Sequence, residues 1–242
     1  MKSLAARKLL VSVAKGIETR SLKRMSEVVR EELGPVRLAA LSGPNIATEI
    51  ARGYPASSVV ASEDPAVAQR VQQQFASDQF RIYTSTDLAG VELGGALKNP
   101  LAIAAGISDG LGFGANAKAA LITRGVVEMA RLGRALGARP ETFWGLSGLG
   151  DLVTTCLAGR NHWLGEQIGA GKSLRGVLKQ TPMVIEGVET SKAAVALARW
   201  VGVEMPIIEQ VCAVLFRRKH PRTALRALMR RDHKAEFSSH HL

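Results

Sequence analysis

Gly90-Val-Glu-Leu-Gly-Gly-Ala-Leu-Lys98-Asn-Pro-Leu-Ala-Ile-Ala-Ala-Gly106, followed at once by Ile107-Ser-Asp-Gly-Leu-Gly-Phe-Gly-Ala-Asn116, decides how the rest of the chain is read. Between Leu93 and Ile107 nearly every residue is small or aliphatic, which is the composition of a helix packed tightly on several sides. Lys98 nevertheless stands in the middle of that run. Burying an ammonium among apolar groups disfavours its charged form and lowers its pKa, and so makes a lysine usable as a base near neutral pH. The other reading is a lysine that reaches its head to water from a helix edge. The helix by itself leaves both open.

Upstream of this stretch strands and helices alternate. Residues 9–14, Leu-Leu-Val-Ser-Val-Ala, read as a short buried strand ending at Lys15-Gly16. A helix follows, with Leu22, Met25, Val28, Val29 and Leu33 on its inner face and Gly34-Pro35 as its stop. Residues 38–41 make the next strand and run into Ser42-Gly43-Pro44, where Pro44 suits the first turn of a helix reaching about Arg52. Residues 57–61 make a third strand. Asp64-Pro65 then caps a helix with Ala68, Val71 and Phe75 inward, and residues 80–83 make a fourth strand.

From Asp87 onward only helical periodicity is found: the opening helix, then residues 116–136, 140–144, 161–168, 173–178, 189–201 and 206–216, then a basic terminal helix, with Gly137 and Gly202 as stops. The expected fold class is α/β followed by all-α. A partial Rossmann-like parallel sheet over residues 1–86 precedes a helical C-terminal substrate domain over residues 87–242.

At 242 residues and 46% hydrophobic composition the chain can bury one large or two small cores. No apolar run approaches a membrane span, and Val11-Ser-Val-Ala is too short for the core of a signal peptide, so a soluble, cytoplasmic protein is expected. Cys156 and Cys212 are far apart and lack CxxC spacing, which suggests neither a disulfide framework nor a zinc site, and no metal is assigned. The histidines are scattered, with His240 and His241 in a polar tail.

The net charge of +11 admits nucleic acid, an anionic surface or a phosphorylated small molecule as partner. Much of the excess lies in Arg217, Arg218, Lys219, Arg222, Arg226, Arg230, Arg231 and Lys234, interleaved with Leu225, Leu228 and Met229. That spacing describes an amphipathic surface helix with a solvated basic face. No aromatic platform accompanies it, and nucleic acid is not expected as a partner.

Several stretches spend glycines and polar residues where packing alone would not need them. Gly110-Leu-Gly112-Phe-Gly-Ala115 formally matches G-x-G-x-x-G, but it follows a helical run rather than a strand, so it is read as a turn entering the next helix. Gly145-Leu-Ser-Gly-Leu-Gly150 sets Asp151 directly before an apolar and threonine-containing segment. Gly159-Arg160-Asn161 stands at a helix start, where arginine can fork onto a phosphate and free amides favour an anion. Taken singly, a helix cap would account for Asp151 and a surface ion pair for Arg160.

Taken together, the motifs Val11-Ser-Val-Ala-Lys15-Gly16-Ile-Glu18, Leu41-Ser-Gly-Pro44-Asn-Ile-Ala47-Thr-Glu49, Gly94-Gly-Ala-Leu-Lys98-Asn99, Asp109-Gly-Leu-Gly-Phe-Gly-Ala-Asn116, Leu121-Ile-Thr-Arg-Gly125, Gly148-Leu-Gly-Asp-Leu152, Arg160-Asn161 and Val184-Ile-Glu-Gly187 occur in one order. This set resembles the bacterial NAD(P)-dependent glycerol-3-phosphate dehydrogenases, from about Leu9 to about Met229. The resemblance implies an oxidoreductase that interconverts sn-glycerol 3-phosphate and dihydroxyacetone phosphate, uses NAD or NADP and feeds glycerophospholipid synthesis. A homodimer is among the expectations. Lys98 matches the proton acceptor, and Lys15 the lysine touching substrate and cofactor. Gly43 and Asn45 correspond to substrate-contacting positions and Ala47 to a cofactor-contacting one. Asp151 matches the acid near the substrate, and Arg160 with Asn161 the phosphate-side pair. Gly159 aligns with a further substrate position, while Arg160, Val184 and Glu186 are expected toward the cofactor.

The chain departs from that pattern in places. Gly159 stands where the family usually has serine, Asn45 replaces a more usual threonine or serine, and the loop between Cys156 and Arg160 is slightly shortened. No glycine-rich pyrophosphate loop precedes the Lys15 strand, so the expectation is a chain with the substrate half of the site, a weak hold on a dinucleotide and weak or no dehydrogenase activity alone. Two other readings compete: a related hydroxyacid dehydrogenase with another substrate, and a non-catalytic relative acting as a folded interaction unit.

Overall fold

The computed structural model describes residues 8–233 and 235–236. The residues preceding Lys8, together with Lys234, His240 and His241, lie outside them. Four strands form one sheet in sequence order: β1 (Leu9–Ser12), β2 (Arg37–Ser42), β3 (Ala56–Ala61) and β4 (Phe80–Ser85). The β1/β2 and β3/β4 pairings are parallel, in registers Leu9↔Arg37 and Ala56↔Phe80. Between them β2 and β3 pair antiparallel, with Ala40 opposite Ala61.

Alternation along the strands directs two apolar sets to opposite faces. Ala39, Leu41, Val60 and Ile82 pack against Val67, Ala68 and Val71 of α3 (Pro65–Phe75). Ala40 and Ala61 pack instead against Leu88 and Val91 at the start of a long helix, α4 (Leu88–Gly110). With both faces covered, the strands can be apolar almost throughout, which is why they read as short continuous runs. Helices α1 (Met25–Leu33) and α2 (Ala47–Ala51) connect the first three strands.

From α4 onward the chain is helical: α5 (Ala115–Ala135), a 3-10 turn (Pro140–Trp144), a π turn (Leu146–Gly150), α6 (Asp151–Leu157), α7 (Arg160–Gly169), α8 (Leu174–Leu178), α9 (Glu186–Trp200), α10 (Pro206–Phe216) and α11 (Pro221–Met229). The fold class expected from the sequence, α/β then all-α, is the one observed. Asp87 caps α4, its Oδ1 accepting from the Gly90 amide at 2.9 Å, while its Oδ2 accepts from the Arg139 amide and from Thr142 Oγ1. Every residue of α4 from Gly90 to Ser108 is buried. Its small residues let other backbones come close: a Cβ on Gly106 would lie 2.0 Å from the His162 carbonyl oxygen, and one on Gly165 of α7 2.2 Å from that of Ile103.

Several local expectations are corrected. Pro44 stands in a turn and α2 begins three residues later, at Ala47. Phe75, expected inward, is 44% exposed, because α3 buries only Val67, Ala68 and Val71. Leu22 lies outside α1 in a left-handed conformation with φ 59°. The basic residues Arg217, Arg218 and Lys219 belong to the connection before α11 rather than to that helix. Among the described residues no helix is long and apolar enough to cross a membrane.

Candidate active site

Four segments far apart in sequence meet beside the middle of α4. The segment after β1 delivers Lys15, the turn after β2 delivers Gly43 and Asn45, α4 delivers Lys98 and Asn99, and α6 delivers Asp151 and, one turn on, Thr155. Lys15 Nζ donates to the Gly43 carbonyl at 2.9 Å, to Asn45 Oδ1 at 2.7 Å and to Asp151 Oδ2 at 2.7 Å. Lys98 Nζ donates to Asp151 Oδ1 at 2.8 Å and to Thr155 Oγ1 at 2.6 Å. One carboxylate therefore spans two ammonium groups. Asp151 is the first residue of α6, with Gly150 at the cap position, and it is only 2% exposed with its oxygens taken by the lysines.

Lys98 is 6% exposed, which rules out a head reaching freely to water and leaves the buried reading. Burial pushes its ammonium below the ordinary lysine range. Asp151 opposes that shift, and the positive charge of Lys15 adds to it. At Gly43, φ is +145° and a Cβ would lie 2.9 Å from the Ser58 Cα, so only glycine lets the turn present its carbonyl to Lys15.

Asn99, next to Lys98, ties this cluster to the later helices. Its Nδ2 donates to the Lys15 carbonyl at 3.1 Å, and its Oδ1 accepts from Asn161 Nδ2 at 3.0 Å. Asn161 Oδ1 in turn accepts from the Gly187 amide at 2.9 Å, so the first turns of α7 and α9 are joined at one point. Arg160, the first residue of α7, meets Glu186 Oε1 at 2.7 Å in a half-exposed ion pair. A guanidinium at a helix N-terminus offers both its fork and free amides to an anion.

Three expected site residues stand on exposed surface. Gly159 precedes α7 at φ +110° with open space around it, Ala47 opens α2, and Val184 is 71% exposed ahead of α9. Val13, two residues before Lys15, is also exposed at 62%, so apolar surface adjoins the charged cluster.

Sequence reading gave no role to Thr155 or Asn99. For Thr155 the missed signal was the helix α6 itself: once Asp151 begins a helix, Thr155 lies one turn on, on the same face. The glycines preceding Asp151 had read as a plain turn. For Asn99 the signal is a second polar residue beside Lys98 in a run that is otherwise apolar.

Comparison with known proteins points to one family. Residues 87–226 match the family model described as the NAD-dependent glycerol-3-phosphate dehydrogenase C-terminus, and residues 1–68 the model for its N-terminus. The chain is 53% identical over 233 residues to a glycerol-3-phosphate dehydrogenase (NAD(P)+) of Citrifermentans bemidjiense, covering 94% of this chain and 70% of that relative. It is 53% identical over 239 residues to that of Syntrophotalea carbinolica, covering 97% and 72%. The crystal structure of glycerol-3-phosphate dehydrogenase from Coxiella burnetii superposes with a TM-score of 0.91 at 40% identity, over 96% of this chain and 72% of that one.

Proposed function

The chain belongs to the NAD-dependent glycerol-3-phosphate dehydrogenase family, and on that premise we propose that it interconverts sn-glycerol 3-phosphate and dihydroxyacetone phosphate with Lys98 as the base. The observation that carries this reading is the single Asp151 carboxylate held between the Lys98 and Lys15 ammonium groups. NAD or NADP, when bound, supplies the hydride acceptor for oxidation and the donor for reduction. Exposed Val13 and Val184 offer apolar surface that would suit such a group, and Ala47, Glu186 and Arg160 would supply further contacts.

In oxidation Lys98, as the neutral amine, takes the proton of the secondary hydroxyl; in reduction it returns one. Asp151 and Thr155 fix the direction of Nζ, leaving its remaining position for the substrate oxygen. Lys15, Gly43 and Asn45 hold the carbon skeleton from the sheet side. Arg160, Asn161 and the backbone at Gly159 take the phosphate at the start of α7. Residues 1–86 form the residual dinucleotide-binding domain and lend Lys15, Gly43 and Asn45 to the substrate. Residues 87–242 form the helical substrate and catalytic domain and lend Arg160, Val184 and Glu186 to the cofactor.

We place the enzyme in the cytoplasm, supplying glycerol 3-phosphate to glycerophospholipid synthesis. We also infer a homodimer. Light scattering across a concentration series tests the dimer. Following NADH or NADPH consumption with dihydroxyacetone phosphate tests the activity. Turnover is expected, and its absence with both cofactors would contradict the assignment.

A further inference from the structure

The motif running from Asp109 to Asn116 has no part in the chemistry above, yet its first residue reaches the phosphate-side helix. Asp109, near the end of α4, accepts through Oδ2 at 2.7 Å from His162 Nε2, and Lys118 of α5 lies 2.7 Å from the same oxygen. On the other side of the imidazole, Glu166 Oε2 is 3.7 Å from His162 Nδ1. Burial works to raise the Asp109 carboxyl, but hydrogen bonds from Lys118 and His162 outweigh it and hold the group below the ordinary carboxylate range. Atoms of metal-ligand type on Asp109, His162 and Glu166 lie within 4.8 Å of one another. The two ring nitrogens, however, face different carboxylates and Lys118 already sits on Asp109, which describes an ion-pair clamp rather than a metal cage.

We propose that Asp109 is a positioning residue: through His162 it fixes the first turn of α7, and with it Arg160 and Asn161, against α4. The inference rests on the reading of that turn as the phosphate-side element. Gly106, Gly110, Gly165 and Gly169 bring α4 and α7 backbone onto backbone over more than a turn of each helix, so contact sets their separation and angle. Such small residues do little to resist a slide or roll of one helix on the other. The Asn161 bond to Asn99 would by itself hold the start of α7 at a single point. Asp109 lies ten residues further along α4, about 15 Å at the rise of an α-helix. A second tie at that distance along α4 keeps the first turn of α7 from sliding or rolling on it. His162 directly follows Asn161, so such a shift passes straight to Arg160.

The test compares Asp109→Ala, Asp109→Asn, His162→Gln and Arg160→Ala with the unmodified enzyme, each assayed on dihydroxyacetone phosphate and on phosphate-free dihydroxyacetone. Asp109→Ala is expected to raise KM for dihydroxyacetone phosphate by about tenfold or more, with kcat within about twofold and kcat/KM for dihydroxyacetone unchanged. Asp109→Asn, which keeps an oxygen facing His162, should recover most of the loss. Combining Asp109→Ala with His162→Gln should cost no more than the worse single change, because both cut one tie. A loss shared equally by both substrates, or no loss, would overturn the inference. If Asp109→Ala does not fold, His162→Gln decides by the same substrate comparison. If Arg160→Ala shows no selectivity for the phosphorylated substrate, the assignment of α7 fails and this inference with it; if Arg160→Ala is selective and the Asp109 and His162 variants are not, the positioning role alone fails.

Discussion

At the scale of single residues, the chemistry turns on how three charges share one buried place. Lys98 loses hydration on entering the core of α4, regains some stability for its ammonium from Asp151, and is held back again by Lys15. Each partner therefore tunes the base in a known direction. Oxidation requires the neutral amine, so its rate should rise with pH and level off below the ordinary lysine range. Lys15→Met removes a positive neighbour and should move the midpoint of that profile to higher pH. Asp151→Asn removes the anion and should move it to lower pH. A pH profile of kcat/KM for glycerol 3-phosphate reads both, and midpoints that stay in place would show that these charges do not govern Lys98. Much of this was legible in sequence, because a lysine in an apolar run is conspicuous. What sequence left open, base or water-seeking head, depended on neighbours more than fifty residues away.

At the scale of elements, α10 shows a helix start satisfied by a distant side chain. The carboxylate of Glu128 on α5 accepts from the amides of Ile207 at 2.7 Å and Ile208 at 3.3 Å, two donors that the first turn cannot pair internally. Burial pushes its pKa up to about 7 despite those bonds, against 4.5 for an ordinary glutamate. The folded state then holds the proton more tightly than the unfolded chain. The contribution of Glu128 to stability is full below about pH 4.5 and is lost as pH rises through about 7. Glu128→Gln should flatten this dependence, removing a loss on the order of 3 kcal/mol. Urea titrations at several pH values check it, and parallel curves for the two proteins would refute it. Most strands and helices could be placed from apolar periodicity and from stops such as Gly34 and Gly137. The helix α6 could not, because the glycines before Asp151 hide its start, and the antiparallel β2/β3 pairing could not, because strand patterns carry no sign of direction.

At the scale of the whole molecule, α4 belongs to both halves. Leu88 and Val91 pack on the sheet, while Leu93, Leu97 and Leu101 lie in the core of the helical part. Breaking either half removes support from the helix that carries Lys98, so the chain should unfold in one transition. Its own chromophores report on the two halves separately, since Tyr54 and Tyr83 precede α4 and Trp144, Trp163 and Trp200 follow it. Tyrosine absorbance and tryptophan fluorescence should give the same urea midpoint; separated midpoints would mean that the halves unfold independently. The site depends on the same continuity, since Lys15, Lys98 and Asp151 meet only when sheet, α4 and α6 are all in place. The most direct measurement is steady-state oxidation of sn-glycerol 3-phosphate by the protein and its Lys98→Met variant. The account predicts a fall in kcat of about 10²- to 10⁴-fold with cofactor affinity unchanged, and a variant that keeps nearly the original rate would contradict it.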